Sequence, residues 1–581
     1  CPGLLVQGVV MVRLVRRRSL LLVPVLAGAG AVVGCSGSGG SGGSSQGASG
    51  GSSAGASGSS SGGASAPVGV QEVETRMAGH RVTVGVSPVV RVSEEASVVV
   101  LEVTRAEDDI HVEHRSDSDD DVLWVSNLLS DRIANPTGAV ATRLADLDGG
   151  RVWVPTQDGR GDAIMLAPGE SGTAYVPFGV MDVDSAWVFV PMTGFILVQV
   201  VDREQAAGVG VDLEAVEAAL EDMGTDSSLA GPVALGTFTR ALDESSSTLT
   251  TDEEVVVTLA SDVTFESDSA ELSDEAGAQL EVVAGQVGRY PDGGSLVIVG
   301  HTDDVDEEDY NQGLSEERAQ AVSDRLGELV DLGSWEVAVE GKGESEPAVE
   351  GTDDEARAAN RRVEITLTPT KGTTRGGQGG PAASASPSAS AVPSASAAPS
   401  ASASGSGSGG LPEAYGPVGP GPEGVTVTGR QGDGELSVVL ERVTRAGGFL
   451  LGELEVTAGP GGTGNDGSTF LGAWLGDERA KALSNPRGEG AGVDGIVTSS
   501  GLTLLSGGER VFPADYLPPG KDRHIPLTER KLSSVMKEGM VTRVCVAWPD
   551  TGQDTVVLDH ESRTERGDYA FRLTDVPVVE A

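Results

Sequence analysis

Two blocks of this sequence cannot bury enough apolar surface to fold, and they partition the chain before any motif is read. Residues 35–66 are almost wholly Gly, Ser and Ala, and residues 369–420 contain the run SASPSASAVPSASAAPSASASGSGSGG. Tracts of this kind act as tethers and linkers. The Pro and Ala of the second make it the stiffer of the two, a spacer as well as a hinge. At 581 residues the chain is too long for one hydrophobic core. Folded domains are therefore expected at 67–205, 250–368 and 421–581, with a connector over 206–249.

The region before the first tether reads as an export signal. Met11 opens a basic stretch, VRLVRRR, followed by the short apolar run SLLLVPVLAGAGAVVG and then Cys35. A charged n-region before an apolar run too short to span a bilayer marks a cleaved signal peptide, so residues 1–34 are expected to be removed. Val32-Val33-Gly34-Cys35 resembles the lipobox of bacterial lipoproteins. That resemblance implies lipid on Cys35, anchoring the chain to a membrane with a flexible tether directly behind the anchor.

Residues 67–205 alternate β-branched and aromatic runs with turn signals, as in SVVVLEV, VLWVSNL, RVWVPT and AWVFVPM. That spacing predicts a β-sandwich. In VDLEAVEAALEDM, Leu213, Val216, Leu220 and Met223 share a face and predict a connecting helix. Residues 421–581 return to the β pattern with three echoes in the same order: Ser97–Ala106 with Ser437–Ala446, the Asp148 turn with the Ser506 turn, and Leu166 with Leu517. The echoes predict a duplicated module. Its turn pattern resembles the small immunoglobulin-like domains of bacterial lipoproteins. Cys545 lies in an apolar run, which predicts a buried thiol.

Between these segments, strand and helix patterns alternate, so the expected class is a central α/β domain, a mixed sheet with helices, between two β-sandwiches. Ser273 and Ser315 read as helix N-caps, which puts Glu316, Glu317 and Arg318 in the first turn of the second helix. Arg318 would there oppose the helix dipole. Asp303 follows the buried strand SLVIVG, at the kind of strand end where α/β sheets bind ligands. The two residues together suit either a ligand carrying both ammonium and carboxylate groups or a structural ion pair.

The stretch GHTDDVDEEDYNQGLSEERAQAVSDRL, followed by GKGESEP and ARAANRRVEITL, resembles the OmpA-like domain of peptidoglycan-associated lipoproteins and flagellar stator proteins. The resemblance implies that Asp303 and Arg318 hold the diaminopimelate of a peptidoglycan stem peptide, with Asn311 and Arg361 lining the same pocket. It departs from the family at Asp306, where many members carry glycine.

The formal charge is −47, and removing residues 1–34, with four arginines and no acid, gives −47 − 4 = −51. Such a surface repels nucleic acid. No H-E-x-x-H or P-loop motif occurs, and G-x-S-x-G occurs only within the Gly/Ser tether, with no strand or helix pattern around it. His111 and His114 would fall on opposite faces of a strand, which disfavours a metal pair. No enzyme activity, cofactor or metal is expected. The expected function is non-covalent tethering of a membrane to peptidoglycan, facing the cell wall. In the alternative, the β-sandwiches bind an envelope protein or glycan and the OmpA-like part only docks them. Mass spectrometry of the amino-terminal peptide is expected to find cleavage after Gly34 and lipid on Cys35; an unmodified Cys35 would exclude the anchor.

Overall fold

Alternation with a period of two governs the segment behind the tether. In the hairpin of β1 (Gln71–Met77) and β2 (His80–Val86), Val82, Val84 and Val86 point inward while their neighbours are half-exposed. The computed structural model describes residues 66–581 apart from 110–121, 131–138, 156–162, 224–228, 267–268, 374–410, 430–433, 463–468, 472–498, 521–523, 529–534 and 562–568. Cys35 and its tether, the His111/His114 pair and most of the 369–420 linker lie outside the described residues.

The first β module continues with β3 (Val89–Arg91), β4 (Ala96–Arg105), β5 (Leu123–Trp124), the single turn α1 (Val125–Leu128), β6 (Arg143–Asp146), β7 (Arg151–Trp153), β8 (Met165–Leu166), β9 (Ser171–Gly179), β10 (Ser185–Val190) and β11 (Gly194–Asp202). Helix α2 (Leu213–Met223) follows, and Leu213, Val216 and Leu220 pack with Val90, Val98 and Val201 over one face of the module.

Six strands then carry the central region: β12 (Val233–Ala241), β13 (Ser246–Thr250), β14 (Val255–Ala260), β15 (Gly294–Gly300), β16 (Trp335–Gly341) and β17 (Arg362–Pro369). They pair in the order β12-β13-β14-β17-β15-β16, antiparallel except for β15 with β16. Four helical segments belong to it: the turn α3 (Ser261–Thr264), α4 (Ala276–Gly288), α5 (Glu308–Leu329) and α6 (Asp354–Asn360). Leu280 and Val283 of α4, and Val322 and Leu326 of α5, bury against Leu296, Ile298 and Ile365 of the sheet.

The second β module comprises β18 (Val418–Pro420), β19 (Val425–Thr428), β20 (Glu435–Val439), β21 (Val443–Ala446), β22 (Phe449–Ala458), β23 (Thr469–Phe470), β24 (Leu502–Ser506), β25 (Glu509–Val511), β26 (Asp515–Tyr516), β27 (Ile525–Pro526), β28 (Val535–Met536), β29 (Val541–Pro549), β30 (Thr555–His560) and β31 (Phe571–Glu580). Cys545 is buried on β29.

Each pairing of the first module has a counterpart in the second. β1–β2, β2–β4, β3–β4, β4–β9, β10–β11, β6–β10, β6–β7 and β5–β8 are antiparallel and β3–β11 is parallel. In the same order, β19–β20, β20–β22, β21–β22, β22–β29, β30–β31, β24–β30, β24–β25 and β23–β28 are antiparallel and β21–β31 is parallel.

This correspondence corrects the register of the sequence echoes. Ser97–Ala106 falls on β4, whereas Ser437–Ala446 runs through β20 and β21, the counterparts of β2 and β3. Leu166 leads into β9, but the counterpart β29 is entered from 537–540 and not from Leu517. Only the Asp148 and Ser506 turns, in the β6–β7 and β24–β25 hairpins, are equivalent. Runs of alternating β-branched residues look alike whichever strand they form, so pattern alone cannot fix which pair with which.

Strand β12, which the sequence assigns to a connector, joins all three parts. Val233 and Ala234 pair with β7, Leu235 and Gly236 with β26, and Thr239–Ala241 with β25, while Thr237–Arg240 pair with β13. Leu235 sits in an apolar cluster with Ala145, Leu147 and Val152 of the first module and Phe449, Leu451 and Tyr516 of the second. Phe238 packs against Phe512 with ring centres 5.3 Å apart and the rings tilted at 47°. Buried Arg143 donates from Nε to Tyr516 Oη across the same junction at 2.8 Å. Full burial of one such apolar side chain contributes about 1.5–3 kcal/mol. Among the described residues, no helix is long and apolar enough to cross a membrane.

Candidate functional site

The topology brings four chain segments to one end of the central sheet. Strands β14 and β15 both run antiparallel to β17, and β16 runs parallel to β15. Their carboxyl ends therefore meet where β17 begins. Asp262 follows β14, Asp303 follows β15, Glu344 follows β16, and Arg361 precedes β17.

Helix α5 crosses this end at close range because the strands finish in glycine. A Cβ on Gly300 would lie 2.1 Å from the Ser315 carbonyl oxygen, and one on Gly341 would lie 2.4 Å from Ser315 Oγ. Any side chain at either position would push the helix off the sheet.

Ser315 is therefore interior to α5 and not its N-cap. Its hydroxyl donates to the Gln312 carbonyl at 2.8 Å and accepts the Gly343 N–H at 2.9 Å, pinning helix to sheet. The helix starts two turns earlier, with Glu307 at the N-cap and Glu308 and Asp309 in the first turn. Acidic residues there favour the positive helix end. Gly313 obscured that start, since an interior helical glycine costs about 1 kcal/mol relative to alanine and reads as a break. Arg318 consequently lies mid-helix, where the expected dipole conflict does not arise. At the first helix the serine reading fares better: Ser273 Oγ accepts the Ala276 N–H at 3.1 Å, just outside α4.

Asp303, Asn311 and Arg361 form one connected group. Asp303 Oδ2 pairs with an Arg361 terminal nitrogen at 2.6 Å. The Arg361 Nε donates to Asp262 Oδ1 at 2.7 Å, and the bonds to Asp262 and Asp303 raise the guanidinium's pKa still further. Asn311 is buried, and its Nδ2 donates to the Asp303 and Asp306 carbonyls, each at 3.2 Å, and to Glu344 at 2.7 Å. It thereby fixes the path of the acidic loop that presents Asp303. Arg357 holds the neighbouring Asp304 carboxyl below its ordinary range through a 2.8 Å bond.

Arg318 is buried on the adjacent side of the site. Its Nε donates to the Ser269 carbonyl at 3.0 Å, and its guanidinium lies 5.2 Å from the centre of the Phe265 ring. Asp303 thus pairs with Arg361, which also pairs with Asp262. Asp262, Phe265, Ser269 and Glu344 escaped the sequence reading. Asp262 carried a usable signal, because it follows the end of its strand as Asp303 does.

Residues 264–361 match the OmpA family. The chain is 38% identical over 109 residues to outer membrane porin F of Pseudomonas aeruginosa, covering 19% of this chain and 31% of that protein. It is 41% identical over 118 residues to outer membrane protein A of Citrobacter freundii, covering 19% and 49%. The chain thus spans about a third to a half of the length of the curated relatives it matches. Among solved structures, the cell wall anchor of the T6SS from Pseudomonas aeruginosa is 35% identical, with 20% of this chain and 82% of that one covered and a TM-score of 0.18. The peptidoglycan-associated lipoprotein from Burkholderia pseudomallei is 30% identical, with 18% and 86% covered and a TM-score of 0.16.

His301 lies under the site, immediately before Thr302 and Asp303. It is buried, and neither ring nitrogen has a hydrogen-bond partner among the described residues. Burial, reinforced by Arg362, lowers its pKa from 6.5 to about 4; Lys342 acts the same way, and Glu364 and Glu346 act against it. The unfolded chain therefore takes up this proton near 6.5 and the folded chain only near 4. Stability from this residue falls as pH drops through that window, by roughly 3 kcal/mol. In denaturation curves from pH 7 to 4, His301→Gln is expected to lose less stability than the parent chain. Parallel pH dependences would contradict the assignment.

Proposed function

We propose that the chain binds peptidoglycan non-covalently through its OmpA-like region and, through lipid on Cys35, tethers a membrane to the cell wall from the extracytoplasmic side. The observation that carries this reading is the group of Asp303, Asn311 and Arg361 beside Arg318 at the strand ends of the matched region. The match of residues 264–361 to the OmpA family supports it.

Asp303 takes the ligand's ammonium, and Arg318 forks onto its carboxylate. Arg361 holds the Asp303 carboxylate in position before the ligand arrives, and Asn311 fixes the loop that carries it. Such preorganisation reduces the ordering cost of binding. The loop acids around Asp306 add negative potential at the mouth, favouring a ligand whose ammonium leads and whose carboxylates are few. The flanking β modules are read as immunoglobulin-like sandwiches, in keeping with their matched strand pairings.

In sedimentation with diaminopimelate-type peptidoglycan, Asp303→Ala and Arg318→Lys are each expected to weaken binding by about 30-fold or more. Removing one partner of a desolvated charge pair costs roughly 2–5 kcal/mol, and lysine keeps the charge without the fork. Arg318→Ala is expected to lower the melting temperature as well, since it abandons Ser269 and Phe265. Undiminished sedimentation by Asp303→Ala and Arg318→Lys would reduce the likeness to one of fold.

A further inference from the structure

A cavity of about 360 Å³ opens between the two β modules, lined from the first by β1 and β2 and from the second by Glu455 and the start of β29. It lies well away in sequence from the strand-end site, and nothing in the proposed function uses it. Three arginines line it, Arg76, Arg81 and Arg543, in a chain where 87 acids face 40 bases.

Arg76 and Arg81 are directly opposed in the β1–β2 register. Like charges facing each other across antiparallel strands destabilise the pair. Arg81 is partly neutralised by Asp108. Arg76 is exposed, and its side chain has no hydrogen-bond or ion-pair partner among the described residues. Arg543 closes the opposite wall, with one guanidinium nitrogen 2.6 Å from the Thr193 carbonyl and 3.0 Å from Glu453. The lining acids Glu74 and Glu455 are also exposed and make no ion pair among the described residues.

The hairpin that presents the arginine pair is locked in place. Its two turn residues, Ala78 and Gly79, have φ of 49° and 89°, as a two-residue turn of this hand requires. The Gly79 N–H donates to the Val541 carbonyl at 3.1 Å, and a Cβ at Gly79 would lie 2.8 Å from the Met540 side chain. The tip is seated on the second module, so the cleft is a fixed feature of the junction.

Uncompensated charges of both signs, facing a preformed cavity and retained at a cost in stability, are what a ligand with both signs would satisfy. We propose that this cleft binds a short peptide with free ends, roughly two or three residues long by its volume. Its carboxylate lies between Arg76 and Arg81, and its ammonium lies against Glu74 and Glu455. The apolar parts of the peptide rest on Val541.

Isothermal titration of the full chain with alanyl-glutamyl-alanine tests this. One-to-one binding is expected, weakened about 10-fold or more when the peptide is acetylated and amidated, or when Arg76 is replaced by Gln. Arg76→Gln should keep or raise the melting temperature, because it relieves the like-charge pair. Arg318→Ala should leave this binding intact, which separates the cleft from the strand-end site. Absence of saturable binding, equal affinity for free and capped peptides, or unchanged binding by Arg76→Gln would each overturn the proposal. So would inorganic phosphate binding as tightly as the peptide, which would mark a simple anion site.

Discussion

Strand β12 is hydrogen-bonded along both edges, and the arrangement of the rest follows from that. Along its length it pairs with β7, β26, β25 and β13, and at Thr239 it carries β25 on one edge and β13 on the other. A strand so placed leaves no open edge between the central sheet and the two β modules. Unpaired buried backbone groups are costly, so parting any of the three would mean exposing the strand's ladder and the apolar cluster around Leu235 together. The modules are thus held side by side even though a long Ala/Ser/Pro tract separates the second from the central region in sequence.

The duplication explains why the junction is lopsided. By their matched pairings, Val98 on β4 and Leu451 on β22 occupy equivalent positions on equivalent faces. In the first module that face is covered by α2, and in the second by β6, β7 and β12. Equivalent surfaces with different covers make a head-to-tail contact, which would repeat indefinitely unless its ends were closed. Helix α2 closes one end, and β12, through its pairing with β25, closes the other. The same stacking sets the β1–β2 hairpin tip against β29 and so creates the cleft that Arg76 faces.

Much of this could be read from the sequence, and the failures have physical causes. The central region was legible because strand, helix and loop signals alternate there and because Asp303, Asn311, Arg318 and Arg361 stand in a recognisable order. What the order could not supply was pairing: Asp303 meets Arg361 because β15 and β17 are neighbours, a fact of sheet topology. The start of α5 was misplaced because Gly313 and Ser315 look like a boundary, and only close packing against Gly300 and Gly341 makes them helix interior. The connector reading of 206–249 found α2 from its apolar stripe. It missed β12 because, β13 apart, the partners of that strand, β7, β26 and β25, lie far from it in sequence. Duplication was legible in the echoes, but their register was not.

Hydrogen exchange over residues 233–241 tests most directly whether β12 binds the three parts into one body. If it does, the amides of β12, among them that of Leu235, which donates to the Gly150 carbonyl beside β7, exchange as slowly as those of β14 and β15 in the core of the central sheet. Exchange within seconds at these positions, with β14 and β15 still protected, would mean that the modules move independently and that β12 is only a connector.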